Sequence, residues 1–280
     1  NFSINISAKN PKILLEDKSL DLSDITTNIS LKSFINNQFS IDDLKISTKE
    51  IQIKDLISLT RKVKGSPQLF ILDSITRAGL ISANINLTFD LDGEIKNNYQ
   101  INGAIKKAKF NIFNQVKIDN LNLSFNISNN QFTLRKIETN LNSVKLKSPL
   151  IKIEKKKDIF FIDGKVVNDQ QNFDINKLEP ILGNLLNNIE IEKIDFNSIN
   201  TFSFNVNKKL KLNDLKIETN LNLKNFKIVK NPFNLKTFLP NYTKPIKLED
   251  HKIKIKLTKG ILDIKGDGDI YIGDELEQLS

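Results

Sequence analysis

The sequence predicts a mainly β protein: a long antiparallel meander curled into an open groove, with a few short helices at about 55–78 and 180–188. Three observations point there. Apolar and polar residues alternate strictly over many short stretches. Polar breaks of the hairpin type separate those stretches. The composition favours strands, with 41 Ile and 18 Phe against only 5 Ala.

Phe2 to Ala8 alternates first. Asp55 to Val63 then carries Leu56, Leu59 and Val63 at helical spacing. Ser66-Pro67 forms an N-cap followed by proline at the first helical position, and Gly79 stands where a C-terminal cap would, so 67–78 reads as helix. The longest alternation follows. Ile81, Ala83, Ile85, Leu87, Phe89 and Leu91 fall on one side, and Ser82, Asn84, Asn86, Thr88 and Asp90 on the other. Such a strand would run roughly 36 Å, about twice the ordinary length. The pattern returns with Leu121, Leu123, Phe125 and Ile127, with Phe202, Phe204 and Val206, with Leu215, Ile217, Leu221 and Leu223, and with Ile253, Ile255 and Leu257. Turns are expected at Asn36-Asn37, Lys96-Asn97-Asn98, Asn129-Asn130, Lys155-Lys156-Lys157 and Asn207-Lys208-Lys209. Pro180 opens a second helical place with Ile181, Leu182, Leu185 and Leu186, and Asn231 to Lys247, with three prolines, reads as a loop.

A repeat ties the strands together. Ile41-Asp42-Asp43-Leu44-Lys45-Ile46, Ile118-Asp119-Asn120-Leu121-Asn122-Leu123 and Leu212-Asn213-Asp214-Leu215-Lys216-Ile217 share one form, and Ile137 to Asn142 returns word for word at Ile217 to Asn222. The shared grammar argues for one sheet extended by similar units. The chain therefore reads as one continuous segment over 1–280, with 168–176 the best place for a weak division into 1–172 and 173–280. The absence of Met predicts that the segment is cut from a longer polypeptide.

A sheet with one oily face cannot leave it in water. A strand with six such side chains exposes several hundred Å² at about 25 cal/mol per Å², a cost of many kcal/mol. Two solutions stand open: a sandwich whose halves face each other, or a trough lined with Ile, Leu and Phe that holds an apolar ligand such as acyl chains. Strand length favours the trough, and its lining would be the alternating apolar positions named above.

Composition removes most chemistry. With no Cys and a single His there is no thiol nucleophile, Cys-ligated metal or His cage, and no cofactor is expected. Neither is enzymatic activity. His251, beside Glu249 and Asp250, reads as an exposed surface residue. Lys265-Gly266-Asp267-Gly268-Asp269 lacks both Walker spacing and the EF-hand order of ligands. Asp42-Asp43, Glu190 with Glu192 and Asp90 with Asp92 read as solvated carboxylates. The net charge of +9 comes from 39 Lys and 3 Arg, a split that speaks against nucleic acid, where arginine forks do the reading. It permits attraction to anionic lipid headgroups.

Four stretches carry a family resemblance: the helix ending at Ala78-Gly79-Leu80, the strand closing at Leu91-Asp92-Gly93, the answering Ile101-Asn102-Gly103, and Leu262 to Ile272. Together they resemble the AsmA-like proteins of the bacterial envelope, over most of the chain. The resemblance implies a repeating β-groove that carries phospholipid or another acyl-chain lipid between inner and outer membranes and so serves outer-membrane biogenesis. It implies a periplasmic segment of an inner-membrane-anchored protein, touching the membrane through regions outside this segment. The alternative is an envelope scaffold or assembly factor, a β-sandwich that binds a protein partner.

Overall fold

The computed structural model describes residues 2–15, 18–36, 38–63, 65–112, 116–169, 190–209, 211–230, 246–272 and 275–279. The chain is mainly β, in an open antiparallel sheet not closed into a barrel, with three short helices among the described residues. The expected helix at 180–188 and most of the expected loop at 231–247 lie outside those residues. Two compact units divide the chain: 1–111 with 120–137 and 152–156, and 112–119 with 138–151 and 157–280.

The N-terminal part comprises β1 (Ser3–Lys9), β2 (Lys12–Leu15), β3 (Lys18–Ser30), α1 (Leu31–Ile35), β4 (Ile41–Thr48), β5 (Ile51–Gln52), α2 (Ile53–Val63), α3 (Pro67–Ile75), β6 (Thr76–Thr88) and β7 (Gln100–Ile112). Hairpins follow: β8 (Val116–Ser128), β9 (Gln131–Leu141), β10 (Val144–Lys156) and β11 (Ile159–Asn168). The C-terminal part holds β12 (Glu190–Asn207), β13 (Leu212–Lys230), β14 (Ile246–Thr258), β15 (Ile261–Ile272) and β16 (Glu275–Leu279). In the first unit β1, β3, β4, β6 and β7 pair side by side, with β2 beside β3 and β5 beside β6. In the second, β11 to β16 pair in sequence order.

The turns follow the side chains that tolerate a left-handed backbone. Asn129 and Asn130 take φ of 45° and 62°, and Asn142 and Ser143 take 45° and 68°. Both pairs are two-residue hairpin turns of the type whose twist matches the flanking strands. The repeated sequence form has a related cause. Asn120 and Asp214 sit in its third position with φ of 53° and 52°, and the pairing of β13 with β12 slips at that point, between Ser203 and Asn205. In β4 the pairing with β3 slips across Asp42. In β4 and β13 two adjacent Asp/Asn residues thus mark a β-bulge near the start of the strand, and a bulge bends its strand and increases its twist.

Two expectations need correction, and one helix stands where none was expected. That helix precedes Asn36, and Asn37 lies outside the described residues. Ser30 accepts a hydrogen bond from the Ser33 amide and caps α1, which ends at Asn36. Helix α3 stops at Ile75, because Thr76 already pairs with Phe110 as a strand residue while its hydroxyl donates to the Leu72 carbonyl at 2.6 Å. Gly79 is therefore a strand residue and not a helix cap. Helix α2 begins at Ile53, and its buried positions are Ile53 and Ile57, one turn apart, with Leu56 and Leu59 half-buried beside them.

The first unit's core forms where α2 lies on the sheet. Ile53, Ile57 and Ala108 are buried there, with Ile81, Ile105, Phe110 and Leu121 packed around them. Gly79 makes that approach possible. It holds φ +136°, and a Cβ built on it would lie 2.7 Å from Ala108 Cα and 2.8 Å from Ile53 Cδ1. Gly79→Val should therefore lower stability by about 2 kcal/mol or more, whereas Gly65→Ala, with open space around it, should stay within about 0.5 kcal/mol. Urea midpoints at constant slope check both.

Candidate functional site: the apolar sheet face

Strand pairing converts sequence alternation into rows of side chains across each unit, because residues directly opposite one another share a face. In the first unit one row runs Ala8, Ile25, Ile46, Ile85, Ile101 across five strands, and the next runs Ile6, Thr27, Leu44, Leu87. Ile51, Ile81 and Ile105 continue the face toward α2. In the second unit Gly164, Phe202, Ile217, Leu257 and Leu262 form another five-strand row. Phe196, Leu223 and His251 form a parallel one, and so do Ile194, Phe226, Leu248 and Ile270.

Glycines on this face make room for rings. A Cβ on Gly103 would stand 2.3 Å from the Phe125 ring, and one on Gly164 would stand 2.8 Å from the Phe202 ring. Phe202 and Phe204, two residues apart on β12, stack with centroids 5.9 Å apart. His251 obeys the same rule. Its ring covers Gly268, where a Cβ would come within 2.5 Å, and its Nδ1 lies 2.9 Å from the Glu249 carbonyl. The residue is only 8 % exposed. The expected surface histidine is thus a buried member of the apolar face. A register slip in β14 between Glu249 and Lys252, with Asp250 at φ 50°, turns it inward. The glycines of the Lys265–Asp269 stretch belong to this packing, with Gly266 opposite Ile253.

Of the residues expected to line a groove, those of β8, β12, β13 and β14 all stand in strands, as do Ile81, Ala83, Ile85 and Leu87 of β6. Nearly all are half-buried, and Leu223 is buried. The two at the end of the long alternation depart from it. Strand β6 stops at Thr88; Phe89 makes an isolated bridge to Ile95 and packs on Phe39, with centroids 5.4 Å apart, and Leu91 is 58 % exposed at the tip of the connection. The hairpin tip itself is organised by Asp90, whose Oδ1 accepts from the Asp92 and Glu94 amides at 3.0 and 2.9 Å. Sequence reading missed Phe160, Ile162 and Val166, whose alternation in β11 runs with Gly164 in the same register.

Two open depressions mark the second unit. One of about 870 Å³ is lined by Ile162, Phe204, Leu212, Leu215 and Leu257 together with polar neighbours including Asp163 and Lys216. Another of about 770 Å³ is lined by Leu150, Gly164, Phe202 and Ile217 together with Asp163, Lys165 and Glu218. Each falls within the range of about 300–1,000 Å³ usual for small-molecule sites.

The opposite face is polar and hydrogen-bonded from strand to strand, although Asp43 Oδ1 and Asn86 Oδ1 are buried without a partner. Asn5 donates to Asn28 at 2.8 Å and Asn28 donates to Asp43 at 2.7 Å, so one chain of two amides and a carboxylate crosses β1, β3 and β4. Asn222 donates to Asn197 at 3.0 Å in the second unit. Glu218 receives Lys254 at 2.8 Å and Lys256 at 3.8 Å. The hydrogen bond from Lys254 holds the Glu218 carboxyl below the usual glutamate range. Hydrogen bonding to Glu249 raises the Lys247 ammonium, which also lies over the Tyr271 ring with 5.6 Å to the centroid. Among the described residues no cluster of three or more metal-ligating side chains occurs, and no helix is long and apolar enough to cross a membrane.

Comparison with family models, curated proteins and solved structures returned no match.

Because folding lowers the Glu218 pKa, its pairing with Lys254 stabilises the fold above the ordinary glutamate range, and that contribution is lost as pH falls through the lowered value. A carboxyl NMR titration should place the Glu218 midpoint below that of free glutamate. Lys254→Ala should move it back up, with little change in stability at neutral pH.

Proposed function

We propose that the chain is a non-enzymatic carrier of acyl-chain lipid, with phospholipid the first candidate, and that the lipid lies along the apolar sheet face. The observation that carries this reading is the state of that face in the second unit. Its rows hold Ile, Leu and Phe across up to five strands, most of them half-buried. A closed core of this width would leave such side chains almost wholly buried. Half-burial fits a wall whose covering is a separate molecule.

The partition of charge supports the same reading. In the strand rows of the second unit, lysine and carboxylate side chains stand opposite one another on the polar face, as Lys256 does with Asp263 and Lys252 with Asp267. The apolar rows named above hold no Asp, Glu, Lys or Arg. Acyl chains would meet hydrocarbon, while a charged headgroup would remain at the wet rim. The resemblance to AsmA-like proteins extends this to transfer between the inner and outer membranes of a bacterial envelope, with the segment in the periplasm.

A second reading, an envelope scaffold or assembly factor, is favoured by one feature of the first unit. Phe2 is 86 % exposed and Ile35 is 78 % exposed, with Phe34, Leu91 and Ile95 also exposed. Backbone hydrogen bonds from Leu31 to Phe2 and from Phe39 to Leu91 hold these segments at one end of the strands. On that reading Phe34→Ser with Ile35→Ser should shift the protein, in size-exclusion profiles of solubilised envelopes, to its own mass with its lipid content unchanged.

The lipid reading predicts that native mass spectrometry of the purified chain finds acyl-lipid adducts. Ile217→Asp should strip them while the thermal midpoint falls only modestly, by about 2 kcal/mol equivalent or less, because a half-exposed carboxylate keeps water. A buried, unpaired charge would cost about 4 kcal/mol or more. Protein that stays free of lipid, or an Ile217→Asp variant that unfolds, contradicts the reading.

A further inference from the structure

The apolar face of the second unit carries a cluster of polar side chains. Asn168 and Val166 on β11, Ser198 and Asn200 on β12, and Thr219 on β13 follow the alternation that puts Phe202 and Ile217 on that face. Four of these five side chains are polar. Asn168 stands opposite Ser198, and both are buried, at 3 % and 7 % exposure. Asn200 stands opposite Thr219, and both are half-buried. Apolar neighbours bound the group, with Phe202 and Ile217 two residues along one way and Phe196 and Leu221 along the other.

The hydrogen bonds within this island settle what it can still offer. The Thr219 hydroxyl donates to Asn200 Oδ1 at 2.8 Å. Asn200 Nδ2 donates to Ser198 Oγ at 3.0 Å and to the Val166 carbonyl at 3.3 Å. Both amide protons of Asn200 and the hydroxyl proton of Thr219 are therefore engaged. A second lone pair on Asn200 Oδ1 and the lone pairs of Thr219 Oγ1 remain. At the half-exposed rim, Asn200 and Thr219 accept hydrogen bonds and have no spare proton to give.

We propose that this island is a docking point for the hydroxyl of an uncharged acyl lipid, of the monoacyl- or diacylglycerol type, and that it selects such a lipid over one whose head bears only acceptor oxygens. The proposal rests on the reading of the chain as an acyl-lipid carrier and, within it, moves the preferred ligand from phospholipid to an uncharged lipid. A hydroxyl can donate to Thr219 and Asn200 while its acyl chains lie on Phe202, Ile217 and Leu221. An ester carbonyl or a phosphate diester brings acceptors to acceptors.

Binding of fluorescent 1,2-diacylglycerol should be compared with that of the same lipid acetylated at its free hydroxyl, on the whole purified chain. The wild-type protein should hold the diacylglycerol about fivefold more tightly, which is what one net hydrogen bond is worth. In Asn200→Leu with Thr219→Val the preference should collapse to about one while uptake of the acetylated lipid is kept or improved. Asn200→Leu alone frees the Thr219 hydroxyl proton to donate to the acetyl ester, so it too should bring the preference close to one, and it carries the test should the double variant not fold. Equal binding of both lipids by the wild type, or a preference that survives in Asn200→Leu or in the double variant, overturns the island proposal and leaves the lipid reading standing. A wild type that takes up neither lipid overturns both.

Discussion

The constraint on which the rest depends is the two-sidedness of a β-strand. Each strand here sends Ile, Leu and Phe to one side and Asn, Lys and Thr to the other, so pairing strands in register assembles one oily and one wet surface. A slip of one residue would send every apolar side chain into water. The bulges at Asp214 and Asp250 are therefore notable, since each changes local register and yet the apolar rows continue beyond it. At Asp250 the slip is what carries His251 onto the apolar face instead of the polar one.

The two faces reach stability by different means. On the polar face, amide-to-amide hydrogen bonds and exposed ion pairs link neighbouring strands, and each is worth little alone. On the apolar face, ring-over-glycine contacts at Gly103, Gly164 and Gly268 fit large side chains against bare backbone. Helix α2 closes one part of the first unit's face by setting Ile53 and Ile57 on Ala108. The rest of that chemistry is left half-covered, which is the physical ground for proposing a guest molecule.

Much of this was legible in the sequence, and the reasons are specific. Strands at Phe2–Ala8, Leu121–Ile127 and Leu215–Leu223 announce themselves because period-two alternation is also the period of the pleat. The Ser66-Pro67 cap was legible because it acts within one turn of helix. Features set by contacts distant in sequence were not. Gly79 resembles a helix cap until Ala108, 29 residues on, is seen to press against it. His251 sits among Glu249, Asp250 and Lys252, so its composition says surface, and only the bulge and Gly268 say otherwise. The polar island needed pairing across three strands before Ser198, Asn200 and Thr219 could be seen as one group. The repeated Asp/Asn pairs were visible as a pattern, but their meaning as bulge positions required backbone angles.

The central claim, that the apolar face is covered by lipid, is tested most directly by placing a photocrosslinking phenylalanine analogue at Ile217 and, on the opposite face of the same strand, at Lys216, then irradiating living cells and identifying adducts by mass spectrometry. The account predicts lipid adducts at 217 and none at 216. Adducts to protein at 217, or equal lipid labelling at both positions, would contradict it.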